Sequence, residues 1–65
     1  MVFTGITKVI NFYEVDGAGK EQWVGTSQEE KPPLPGEMVY VVDLGAYRQV
    51  WGVELHGDET KVFVE

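Results

Sequence analysis

The chain contains no cysteine, a single histidine and no uninterrupted apolar run of more than a few residues. Without cysteine, neither a disulfide framework nor a thiolate-ligated zinc site can brace the fold. His56 alone cannot build a multi-histidine centre, so no metal or cofactor is expected. A bilayer-spanning helix needs about 20 apolar residues, and nothing here approaches that, so no membrane association is expected. The opening residues Met1-Val2-Phe3-Thr4-Gly5 lack the basic region and apolar core of a secretory signal. With no cysteine either, a cytoplasmic location is the expectation. Cations are also scarce: five Lys and Arg stand against eleven Asp and Glu, for a net charge of −6. Lys8, Lys20, Lys31, Arg48 and Lys61 are scattered along the chain, with no basic run. Neutralising phosphates supplies most non-specific nucleic-acid affinity, so this balance argues against nucleic-acid binding and against anionic membrane surfaces.

What is present is a short and moderately apolar chain. Its 65 residues allow one small domain, read as spanning residues 1–65. A chain of this length buries only about 60% of the surface its unfolded form exposes. Stability must therefore come from efficient packing or from another chain, a protein partner or a second copy. Apolar residues make up 43%, including two Trp, three Tyr and three Phe, which is too many for a disordered segment.

Alternation of period two dominates the second half. Thr60, Val62 and Val64 fall on one face of a strand, with Lys61 and Phe63 on the other. From Tyr47 to His56 the residues Tyr47, Gln49, Trp51, Val53 and Leu55 share one face, and Arg48, Val50, Gly52, Glu54 and His56 the other. These are strand patterns. Gly57 supplies the positive φ that a tight antiparallel hairpin between them requires. Met38 to Leu44 is apolar on both faces, as a central or covered strand would be, and Gly45-Ala46 turns it into the next strand. In the first half, Val2 to Val15 favours β structure but switches its apolar face, which predicts a bulge at Gly5 or Asn11. Asp16-Gly17-Ala18-Gly19 reads as a turn, and Lys20 to Thr26 as a short strand. Ser27 to Gly36 is a loop ending in Lys31-Pro32-Pro33-Leu34-Pro35, whose prolines fix φ and remove ladder donors. The prediction is an all-β fold of about five strands, a small barrel or a strongly bent antiparallel sheet.

No pattern of catalytic chemistry stands out. Glu54 and His56 lie two apart on one strand face, where a carboxylate could poise an imidazole for acid–base work. A pocket and a third group are lacking, so two solvated residues are the plainer reading. Asp58 and Glu59, with Asp16 or Glu14, supply too few close oxygens for a calcium loop. Gly17-Ala18-Gly19-Lys20 imitates part of a phosphate loop without the helix that must follow. The Pro32 to Pro35 spacing matches a proline-rich ligand, but the downstream Glu37 has the wrong sign for such a ligand, and a rigid connector fits better. The aromatics carry more weight. Phe12, Tyr40, Trp51 and one face of Trp23 are expected in the core. Phe63, on the parity opposite Val62 and Val64, either lies outside beside Val50 as part of an interaction patch or is buried where a closed barrel corner covers both faces. Candidate protein-interaction residues are therefore Phe63, Val50 and Trp23, with Pro32, Pro33 and Leu34 of the loop.

The glycine turn at Gly36, the strand Met38-Val39-Tyr40-Val41-Val42, Gly45, the pair Gly52-Val53 and the strand Val62-Phe63-Val64 together resemble KOW-type and related Src-homology-3-like small barrels over residues 36–64. That resemblance implies a small five-stranded Src-homology-3-like barrel, with an OB-like barrel as the alternative. Members that bind RNA carry basic residues around the first glycine. Here Asp43 precedes Leu44-Gly45, and Arg48 is the only nearby cation. The expected role is non-catalytic: a protein-binding module or small structural subunit of a larger assembly, with self-association. An acidic phage-type inhibitor mimicking nucleic acid, using Glu29, Glu30, Glu37, Glu54, Asp58, Glu59 and Glu65, is the alternative. A KOW-like nucleic-acid-binding barrel comes third.

Overall fold

A computed structural model describes residues 8–65. Five strands form one strongly curled sheet: β1 (Lys8–Val15), β2 (Glu21–Glu29), β3 (Met38–Val41), β4 (Ala46–His56) and β5 (Glu59–Val64). The order across the sheet is β2-β1-β5-β4-β3. The all-β, five-stranded expectation holds, and the described residues contain no helix. Antiparallel pairing joins β1 to β2, β3 to β4 and β4 to β5, whereas β1 and β5 run parallel. That parallel pair follows from counting. Five strands that alternate in direction leave the first and last pointing the same way, so a sheet that brings them together must do so in parallel.

The turns are set by local chemistry. Asp16 closes the β1–β2 connection: its carboxylate accepts the amides of Ala18 (2.8 Å) and Lys20 (2.9 Å), while Gly19 takes φ +82°. The β4–β5 hairpin turns through Gly57 at φ +59°, as its sequence predicts. β3 is shorter than predicted, because Val42–Gly45 forms the turn into β4, with Gly45 N–H donating to Val41 O (2.8 Å). β2 runs three residues further than predicted, to Glu29. The proline loop is tied to β4, since Gly36 N–H donates to Val50 O (2.7 Å) and Val50 N–H to Glu37 O (2.8 Å).

Register decides which side chains face inward. Ile10 opposes Thr60, Phe12 opposes Val62, and Val50 opposes Val64. These apolar residues, with Val41, form the buried cluster on the concave face, and Val24, Val39 and Val53 pack against it. Two irregularities break the parity read from sequence. In the first, Phe12 opposes Gly25 while Tyr13 opposes Trp23, so the extra residue is Val24 of β2 rather than a position in β1. Asn11 is regularly paired, and Gly5 lies outside the described residues. The second falls between Val50 and Gly52 in β4. It turns Val53 inward although Tyr47 and Gln49 point out.

The two edges of the sheet, β2 and β3, meet without a backbone ladder. Gly25 is buried at the closest approach, where an added Cβ would lie 2.7 Å from Val41 Cγ1 and 3.0 Å from Asp43 Oδ2. One residue on, Thr26 N–H donates to Asp43 Oδ2 (3.0 Å). The curl is thus pinned at the tip of the β3–β4 hairpin by a glycine and one charge-assisted hydrogen bond.

Val41 is buried and β-branched, so it has little room to yield to a new methyl group. Gly25→Ala is predicted to lower stability in urea unfolding by about 1–3 kcal/mol, the range of core overpacking. Gly17→Ala, with nothing within 4 Å of its Cβ, should change it by no more than about 0.5 kcal/mol; equal effects would contradict this seam. The amides of Lys20 and Ala18 hold the Asp16 carboxyl below its ordinary 3.8. A carboxyl depressed on folding stabilises above its unfolded value, and the gain is lost as pH falls through the folded one. Wild type should therefore exceed Asp16→Asn in stability at neutral pH, with the gap closing in acid below about 3.8. A gap independent of pH would contradict it.

Candidate interaction surface

The convex face carries an apolar belt that follows from the register. Trp23 opposes Tyr13, Tyr13 opposes Phe63, and Phe63 opposes Gly52, one residue from each of four adjacent strands. Gly52 leaves the room above Phe63 open, its Cβ position lying 3.5 Å from that ring. The extra residue of β4, Trp51, fills it, with ring centroids 5.3 Å apart. Tyr13 flanks Phe63 on the other side at 6.2 Å. Lys61 Nζ sits over both, 4.8 Å from the Tyr13 centroid and 5.5 Å from that of Phe63, and is held by the Glu21 carboxylate. The bond to Glu21 raises the Lys61 amine above its ordinary 10.5. Trp23 is fixed by its indole N–H, which donates to Asn11 Oδ1 (3.2 Å) and Thr26 Oγ1 (3.1 Å).

The expected patch around Phe63 and Val50 is not on the surface. Phe63 is on the outer face, as its parity implies, yet it is only 5% exposed because Trp51 and Tyr13 cover it. Val50 points into the core and is 1% exposed. Tyr40 and Trp51, expected in the core, are each 49% exposed, while Phe12 is buried as expected. Trp23 is largely exposed on β2. Pro32, Pro33 and Leu34 are brought together by a cleft of about 620 Å³, which Glu29, Lys31, Glu37 and Val39 also line. It marks the end of the β2–β3 seam away from Asp43, where the loop spans the gap. The Glu37 carboxylate accepts the Leu34 amide, so it helps to hold the loop's shape.

Sequence reasoning missed the most open apolar area, on β3 and β4. Tyr40 opposes Tyr47, and Met38 opposes Gln49. The two tyrosines meet edge to face at 5.1 Å. Met38 is 60% exposed and Tyr47 66%. With Trp51 they form a face of large side chains carrying no formal charge. A signal for it was present in Met38 to Leu44, apolar on both sides, since a strand in a small sheet has only one side to bury.

The groups considered for chemistry are dispersed. His56 Nε2 lies 3.0 Å from Glu54 Oε1, with both side chains more than half exposed. Glu14 pairs with Arg48 at 3.3 Å, the Glu59 carboxylate accepts from Asn11, and Asp16 serves its own turn. Among the described residues, no group of three or more His, Cys, Asp or Glu is arranged to hold a metal ion. Comparisons with family models, curated proteins and solved structures found no match. The surface itself must carry the functional argument.

Proposed function

We propose that the chain is a non-catalytic protein-binding module, or a small structural subunit of a larger assembly. The observation that carries this is the uncharged β3–β4 face of Met38, Tyr40, Tyr47 and Trp51. Small soluble domains seldom leave such contiguous apolar surface uncovered, and aromatic and methionine side chains are the types enriched at interfaces. The partly closed barrel supports the reading, because the concave side is filled by Ile10, Phe12, Val41, Val50, Val62 and Val64 and leaves the convex side for recognition. Charge adds to it. Lys61 and Arg48 are engaged by Glu21 and Glu14, which leaves the negative excess to the surface and disfavours phosphate-bearing partners.

In an extract of cells producing the protein, the wild-type chain should elute in an assembly larger than its own 7.3 kDa. Tyr47→Glu, which places a charge in the middle of the face, should elute as the free chain. Wild type eluting as the free chain would contradict the reading.

A further inference from the structure

We propose that the β3–β4 face seats a second copy of this chain, related by a two-fold axis. The inference rests on the protein-binding reading above and names its partner. Three observations lead to it.

The first is area. A fully uncovered aromatic side chain presents about 150–250 Å². Tyr40, Tyr47 and Trp51 are each half to two-thirds exposed, and Met38 is similar. One copy therefore offers roughly 400–500 Å², and a two-fold contact that covers it fully removes about 800–1,000 Å² in all, up to the threshold of a specific interface. The second is charge. Each copy carries a net charge of −6, so two copies repel wherever carboxylates face each other. The outward positions Met38, Tyr40, Tyr47, Gln49 and Trp51 carry none, whereas the exposed Glu65, paired with Gln49 through the backbone, and Glu54, further along β4, are near them. This face is where like chains can meet with least repulsion. The third is self-complementarity. A two-fold interface sets one patch against itself, and the Tyr40–Tyr47 pair offers both a ring edge and a ring face, as aromatic contacts across such an axis require.

The acidic rim gives this dimer a signature. Rim carboxylates oppose association at low salt and are screened at high salt, so the dimer tightens as salt rises. An interface built on opposite charges behaves in the reverse way.

The experiment is sedimentation of the purified full chain over a concentration series. Salt is varied from about 0.01 M to about 1 M, where the screening length falls from about 30 Å to about 3 Å. The expected result is a monomer–dimer equilibrium that strengthens with salt. Tyr47→Glu and Met38→Glu should each weaken it at least about tenfold, a modest loss for a residue central to an interface. Both sites are exposed, and circular dichroism should show an unchanged sheet. Leu34→Ser, which removes an exposed apolar side chain from the cleft, should leave the dimer intact. A monomer throughout, a dimer indifferent to both glutamate variants, or one that loosens with salt would each overturn the proposal. A purified monomer combined with a persistent large assembly in cell extract would overturn self-pairing and leave the protein-binding reading in place.

Discussion

The close approach of β2 to the β3–β4 hairpin tip is the constraint on which the rest of the structure depends. Gly25 brings its strand against Val41 and Asp43 at distances that leave no space for a side chain, and the Thr26 amide is satisfied there by a carboxylate. Once the sheet curls to that point, one side is enclosed and the other is not. Among the described residues, the enclosed side holds one small cluster of mainly branched aliphatic residues with a single aromatic, Phe12. Larger rings have no place in it. The curl therefore sends Trp23, Tyr13, Phe63, Trp51, Tyr40 and Tyr47 outward, and what distinguishes them is how each is covered.

Covering is uneven across the convex face. On β1, β2 and β5 the rings are supported by neighbours: Trp51 and Tyr13 shield Phe63, Lys61 lies over Tyr13 and Phe63, and Asn11 and Thr26 hold the Trp23 indole. The ion pair between Lys61 and Glu21 reinforces this half. On β3 and the start of β4 the support among the described residues is the contact between Tyr40 and Tyr47. Burying more of these side chains would gain about 25 cal/mol for each Å² removed from water. Another molecule can do so.

Alternation and turn glycines made most of the architecture legible. Gly57 marked the β4–β5 hairpin, and the pairing of Thr60, Val62 and Val64 on one face gave the inward side of β5 correctly. The parallel β1–β5 contact was hidden because it depends on closure, which only long-range packing reveals. The bulges at Val24 and Trp51 mattered more. A one-residue insertion reverses parity, so a single regular strand from Tyr47 to Leu55 was assigned one face when its two halves face opposite ways. That error put Trp51 in the core. Parity placed Phe63 correctly on the outer face, yet nothing local in the sequence announced that Gly52 would let Trp51 fold over it. Pro32, Pro33 and Leu34 lie outside the sheet, as their prolines predict. Their grouping around a cleft required the path of the loop across the seam.

Because closure sorts inner from outer residues, the seam is where the fold is best tested. Native-state hydrogen exchange reads it at a single site, the Thr26 amide on the free edge of β2. Held by the Asp43 carboxylate, that amide should exchange with protection close to that of the core amides of β5, opening only with the whole sheet. Exchange at Thr26 as fast as in an unstructured chain, with β5 still protected, would mean that the sheet is open at Gly25 and that the division into enclosed and exposed faces does not hold.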